Sequence, residues 1–322
     1  MSMRKWIAES RALSPGLTAL SLTMLGMIPV LSLALWLDHR MVTGVAVWVK
    51  PMKFTLSALS YSVFFLVMMP LMQPLSKRIR QMAEVMSWML WLEIILIYAQ
   101  AARGKASHFN METMLDGLIF NAMAVGITTF VVLNIVIMVQ FMRQKTGNPV
   151  MLTGIRWAFL IGITGMLVGY LMTQPTSTQV VELSKGLVPD RLGGHTVGAA
   201  DGGAGLPFLN WSARFGDLRV AHFVGIHALQ FLPLWAWWLV RWRPLQVSWA
   251  RRRVHLVGGL YLGATLLLIW QAMRAESVAQ FSFETMQAFA WLGMAGVATW
   301  LVLVILERYS VSRAEALRVT ER

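Results

Sequence analysis

The sequence predicts an all-α membrane protein with eight transmembrane helices. Three observations carry this: 57% of the 322 residues are hydrophobic, only 13% are charged, and the charge is gathered into short stretches between long uncharged ones. An ordinary soluble domain carries about 25% charge. A bilayer core demands roughly 20 consecutive apolar residues, more than a soluble core helix supplies. Helices are the economical way across, because each satisfies its own backbone amides.

The first apolar run, Gly16–Leu37, is too long for the core of a signal peptide and has no small-residue cleavage site after it, so it is read as a retained span. Seven more follow: Pro51–Met72, Ala83–Ala102, Leu118–Phe141, Gly154–Thr173, Val220–Val240, Val254–Met273 and Thr285–Leu306. The fifth is marginal in length. Pro29, Pro70 and Pro233 are expected to kink their spans.

Orientation follows from the basic residues. The N-terminus, the second, fourth and sixth loops and the C-terminus hold 18 of the 28 Lys and Arg, Arg243 and Arg322 among them, with five acidic residues. The other side holds 10 basic and nine acidic, a contrast of +13 against +1. The positive-inside rule makes the first side cytoplasmic, with both termini inside a bacterial-type inner membrane. The net charge of +13 therefore reports topology and lipid contact rather than nucleic-acid binding. There is no cysteine, which excludes disulfides and thiolate metal sites.

The chain divides into 1–150 and 151–322, each with four spans. Gln100-Ala-Ala-Arg103 at the end of span three matches Gln271-Ala-Met-Arg274 at the end of span seven, and Phe109–Met114 matches Phe281–Met286. Lys53-Phe54 aligns more loosely with His222-Phe223, and Pro74-Leu75 with Pro244-Leu245. Ordered blocks at matching helix ends point to a parallel four-plus-four duplication. This plan resembles that of haem A synthases. The resemblance implies architecture alone. That family uses histidine pairs on the even-numbered spans, whereas spans two, four and eight here contain no histidine, so no functional residue carries over.

The polar chemistry is expected at the periplasmic ends of the helices. Span three carries Glu93, then Gln100 and Arg103 near one face. A carboxylate within the membrane faces the bundle interior, where it is paired or hydrated. Span six carries Arg219, His222, His227 and Gln230. His222 and His227 lie about 140° apart around the helix and cannot chelate one metal from a single face. The depths of Glu93 and His227 below their helix ends agree within about 3 Å, so a contact between them, one from each half, is the expected inner site. Lys53, with Ser57 and Ser60 below it, forms a polar stripe on span two, while Lys50 is expected to snorkel to the interface. Lys53, Arg103, His108 and Arg219 form the expected entrance.

The fifth loop, Gln174–Arg219, is long and glycine-rich between Gly193 and Gly205. It is no phosphate-binding loop, since no Gly-Lys-Ser/Thr follows. His195 and Asp201 are candidate lid residues, and the apolar residues after Gly205 are expected to pack on the helices. Gly165 and Gly169 in span five offer a close-packing seam, within the bundle or between protomers as a homo-oligomer. Three functions fit these residues. The first is binding or translocation of a small polar or ionic ligand through the periplasm-facing polar and histidine site. The second is a membrane enzyme holding haem or a divalent metal on His108, His195, His222 and His227. The third is an accessory subunit or assembly factor of a membrane complex.

Overall fold

The computed structural model describes residues 2–207, 209–242 and 246–320. Arg243, Pro244, Leu245, Glu321 and Arg322 lie outside them. A short amphipathic helix α1 (Met3–Leu13) precedes the first span, α2 (Pro15–Leu37). A two-residue hairpin, β1 (Met41–Val42) and β2 (Val45–Ala46), leads to α3 (Val49–Met68), followed by α4 (Lys77–Ala102), α5 (Met114–Arg143) and α6 (Pro149–Met172). The fifth loop contains α7 (Ser177–Ser184) and the antiparallel pair β3 (Thr196–Val197) and β4 (Gly216–Asp217). The chain ends with α8 (Leu218–Trp242), α9 (Val247–Met273) and α10 (Phe283–Thr320). Eight of these helices are long and apolar enough to cross a bilayer, the architecture of a multi-pass membrane protein.

The helices begin where the sequence supplies caps. The hydroxyls of Ser14, Ser76 and Thr113 and the amide oxygen of Asn148 accept from first-turn backbone amides of α2, α4, α5 and α6. Pro15 and Pro149 occupy the first helical position, where no amide is missed. Glu84 of α4 adds a carboxylate at the start of α2, accepting from the Ser14 hydroxyl at 2.5 Å and the Gly16 amide at 3.0 Å. Pro29 and Pro233 lie within α2 and α8, whereas Pro70 falls in the 3-10 turn Met69–Leu71 that ends the second span.

The odd-numbered connections interlock at one end of the bundle. Arg40 Nη1 donates to Ala102 O at 3.1 Å, Met111 N to Asp190 O at 2.8 Å, and Ser277 Oγ to Ser212 O at 2.8 Å. At the opposite end Gln144 joins the second and fourth connections, accepting from Gln73 N at 2.9 Å and donating to Leu71 O at 2.8 Å. Successive spans therefore alternate in direction. The main apolar core, including Phe65, Met69, Met86, Phe141, Phe159 and Leu232, joins both halves. The most extensive helix pair is α6 with α8. There Gly165 and Gly225 let the backbones touch: a Cβ on Gly165 would lie 2.6 Å from Ile226 N. Of the two settings expected for the span-five seam, this is the one within the bundle. Gly165 faces α8 of the same chain, and Gly169 lies against His222.

Candidate functional site at the loop end of the bundle

The connection from α4 to α5 places the innermost polar group. Arg103 ends α4, Gly104 turns the chain at φ 69°, and the segment then dips between the helices, burying Ser107 and Asn110. Phe109 takes φ 62°, and the fifth loop clamps the segment through Met111 N to Asp190 O and Leu192 N to Phe109 O, at 2.8 and 2.9 Å. This brings His108 inward.

His108 Nδ1 lies 2.9 Å from Lys50 Nζ, and its Nε2 lies 3.2 Å from Glu93 Oε1. Burial, then the Lys50 ammonium, lowers the pKa of His108 against the opposing pull of Glu93. The ring is therefore neutral at pH 7, with Nδ1 accepting from Lys50 and Nε2–H donating to Glu93. Phe54, Phe109 and Phe120 surround it, with ring centroids 5.8, 6.0 and 6.4 Å away. Glu93 is 5% exposed, and its Oε2 is buried with no hydrogen-bond partner among the described residues. Most buried carboxylate oxygens are satisfied, so this acceptor is unusual.

The partner of Glu93 is thus His108 and not His227. The expected pairing compared depths along two helices, and a loop residue that re-enters the bundle has no depth readable from helix rise. His227 Nδ1–H donates instead to Phe223 O in its own helix at 2.8 Å, with its ring 4.0 Å from that of Phe223. Lys50, expected to snorkel, is tied to His108. His108 belongs to the inner group rather than the entrance.

A second network lies in the fifth loop. Arg219 clasps Asp217 with two hydrogen bonds, Nε to Oδ1 at 2.9 Å and Nη2 to Oδ2 at 2.6 Å, and also donates to Asn210 O. Asp201 accepts from the backbone amides of His195 and Thr196 at 3.1 and 2.9 Å, and its Oδ1 lies 3.1 Å from His195 Nδ1. Burial, then the Arg219 charge, pushes the His195 pKa down to about 4, against Asp201 and Asp217. The segment after Gly205 packs as expected, Trp211 meeting Phe223 edge-on at 5.8 Å. Lys53 Nζ donates to Leu209 O at 2.6 Å, fastening the loop to α3.

Gln100 and Arg103 form a separate cluster. Both donate to the buried Asp116 Oδ1, at 2.9 and 2.8 Å, and Thr113 Oγ1 donates to its Oδ2 at 2.6 Å. Gln230 of α8 reaches Ser60 of α3 at 3.5 Å, while its Oε1 is buried without a partner among the described residues. His222 Nδ1–H donates to Gly165 O at 2.7 Å. The four histidines named as metal ligands therefore serve four different local purposes. Among the described residues no three His, Asp or Glu side chains are grouped to hold a metal ion.

The matching blocks at the ends of spans three and seven share backbone detail. Gly104 and Ala275 both take positive φ, 69° and 59°. Lys105 N returns to Gln100 O at 2.9 Å, and Glu276 N to Gln271 O at 3.3 Å. Each glutamine side chain also donates to a carbonyl beyond its helix, Ala106 O and Glu276 O. Thr113 and Thr285 each donate to a carboxylate, those of Asp116 and Glu276, both at 2.6 Å.

Comparison with models of known families, with curated proteins and with solved structures finds no match.

Proposed function

We propose that this membrane protein binds, and carries across the bilayer, a small polar or ionic ligand admitted at the end where the odd-numbered connections meet. Glu93, His108 and Lys50 form the inner site of this reading. The observation that carries it is the Lys50–His108–Glu93 chain, in which an ammonium and a carboxylate are held below the loop layer by one imidazole. A buried carboxylate and a half-buried ammonium cost energy to desolvate, and apolar residues of similar volume often serve stability as well or better. Ionisable groups kept within a membrane bundle are by default functional. Glu93 Oε2 supplies an acceptor for a ligand donor, and three phenylalanine rings pack around His108, whose side chain stays 25% exposed.

Below the site the bundle closes around Phe64, Phe65, Met69 and Phe159, so passage requires the helices to repack. In this reading the polar end is periplasmic and both termini are cytoplasmic in a bacterial-type inner membrane, as the +13 against +1 contrast supports. The halves 1–150 and 151–322 descend from one four-span unit, as the shared turns at Gly104 and Ala275 support.

The test is a panel of amines, amino acids, carboxylates and inorganic ions applied to the purified full-length protein in proteoliposomes, reading ligand-evoked current and thermal shift. At least one member is expected to act on the native protein and to lose its effect in both Glu93→Gln and His108→Ala. A response retained in both variants would contradict the reading.

A further inference from the structure

The fifth loop encloses a cavity of about 160 Å³. The Thr196–Asp217 strand pairing forms one wall, the glycine-rich turn Gly202–Gly203 another, and Asn210 with Ser212 a third. At roughly 30 Å³ per water of liquid volume, it has room for about five non-hydrogen atoms. Its polar lining is dominated by donors.

Arg214 lines the cavity and has neither an ion-pair partner nor a hydrogen bond among the described residues. Arg219 also lines it. Asp217 and Asn210 take up Nε and Nη2 of that guanidinium, leaving Nη1 without an acceptor among the described residues. His195 Nδ1 faces Asp201, so its Nε2 is the ring nitrogen left over. The charged side chains lining the cavity are Arg214 and Arg219, with His195 neutral; Asp217 pairs with Arg219, Asp201 faces His195, and Arg191 lies 3.8 Å from Asp201. The carboxylates are already committed: Asp201 to two backbone amides, Asp217 to Ser212 N and the Arg219 fork.

The walls are fixed by tight turns. Gly202 has φ 100°, and Gly205 sits so close to Asn210 that a Cβ there would meet the Asn210 side-chain oxygen at 2.0 Å. The pocket is therefore built by the loop's own packing.

We infer that this cavity is a binding site for a small oxyanion of the carboxylate, phosphate or sulfate class, held by the Arg214 guanidinium and Arg219 Nη1. Planar guanidinium forks suit these groups, and charge-assisted hydrogen bonds are the stronger kind. A proposal for an anion also fits the location: Lys53 adds a further cation beside the loop, bonded to Leu209 O. The inference deepens the proposed function, since it names the class of ligand the entrance selects, but the site can be tested without it.

The experiment is isothermal titration of the full-length protein in detergent with acetate, inorganic phosphate and sulfate, at constant ionic strength set by chloride. Saturable binding of at least one oxyanion is expected, weakened about tenfold to a hundredfold in Arg214→Ala and partly restored in Arg214→Lys. Arg214 is exposed and supports no other contact, so its replacement leaves folding intact. Glu93→Gln is expected to retain this binding. If Arg214→Ala binds as tightly as the native protein, or if chloride competes equally, the site does not exist. If oxyanions bind here while the ligand panel finds no response dependent on Glu93 and His108, the pocket stands and the inner-site reading fails.

Discussion

Replacement of Glu93 by Gln and by Leu separates the two roles its carboxylate plays. Both changes remove the negative charge opposing Lys50, 2.9 Å from His108 on the far side of the ring. Glutamine still offers a carbonyl oxygen to His108 Nε2–H, whereas leucine strips that donor of its acceptor. Deleting one partner of a buried ion pair costs about 3–5 kcal/mol in all, and the orphaned donor accounts for about 1–3 kcal/mol of it. Glu93→Leu is therefore expected to cost about 4 kcal/mol and Glu93→Gln about 2 kcal/mol. Adding Lys50→Met to Glu93→Leu should recover about half of the loss, because no charge is then left alone while His108 Nε2–H still lacks its acceptor. Denaturant titration in mixed micelles measures all four free energies. Equal losses for Gln and Leu, or no recovery in the double variant, would refute the Lys50–His108–Glu93 chain as described.

Three other outcomes follow from local geometry. Gly165→Ala puts a methyl 2.6 Å from Ile226 N and 2.7 Å from Gly225 C, and is expected to cost about 1–3 kcal/mol in the same titration; a neutral effect would mean that α6 and α8 are farther apart. Ala275→Gly relieves a left-handed residue at φ 59° and should stabilise by about 1 kcal/mol, read as a higher melting temperature; a loss would show that its Cβ contact with Gly198 matters more. Because His195 has its pKa lowered in the folded loop, the unfolded chain takes up a proton first as pH falls. The stability of the loop, faced by Asp201, Asp217, Arg219, Thr196 and Lys50, is whole above pH 6.5 and falls by up to about 1.4 kcal/mol per unit toward pH 4. Hydrogen exchange at the His195 and Thr196 amides should speed up accordingly, and slowing in acid would reverse the sign.

The spans were legible because a bilayer imposes length and hydropathy on each segment independently of its neighbours. All eight helices fall on the apolar runs, with ends moved outward to caps such as Ser76 and Asn148 that hydropathy does not weigh. The polar helix α1, capped by Ser2, was missed because it lacks a long apolar run; its signal was the serine and the amphipathic pattern after it. Glu93 stood out as a carboxylate inside a span. Its partner did not, because His108 reaches it through a turn at Gly104 and a clamp from Asp190 and Leu192, contacts between distant loops that no helical spacing encodes. Gly165 carried a true packing signal, yet small residues alone do not say whether the surface they meet belongs to the same chain.

The protonation of the His108 ring tests the central arrangement most directly. Nitrogen NMR of the labelled full-length protein at neutral pH should show a neutral imidazole with the proton on Nε2 and Nδ1 as an acceptor, and the Nε2 signal should move in Glu93→Gln. A ring protonated on Nδ1, or an imidazolium indifferent to Glu93→Gln, would contradict it.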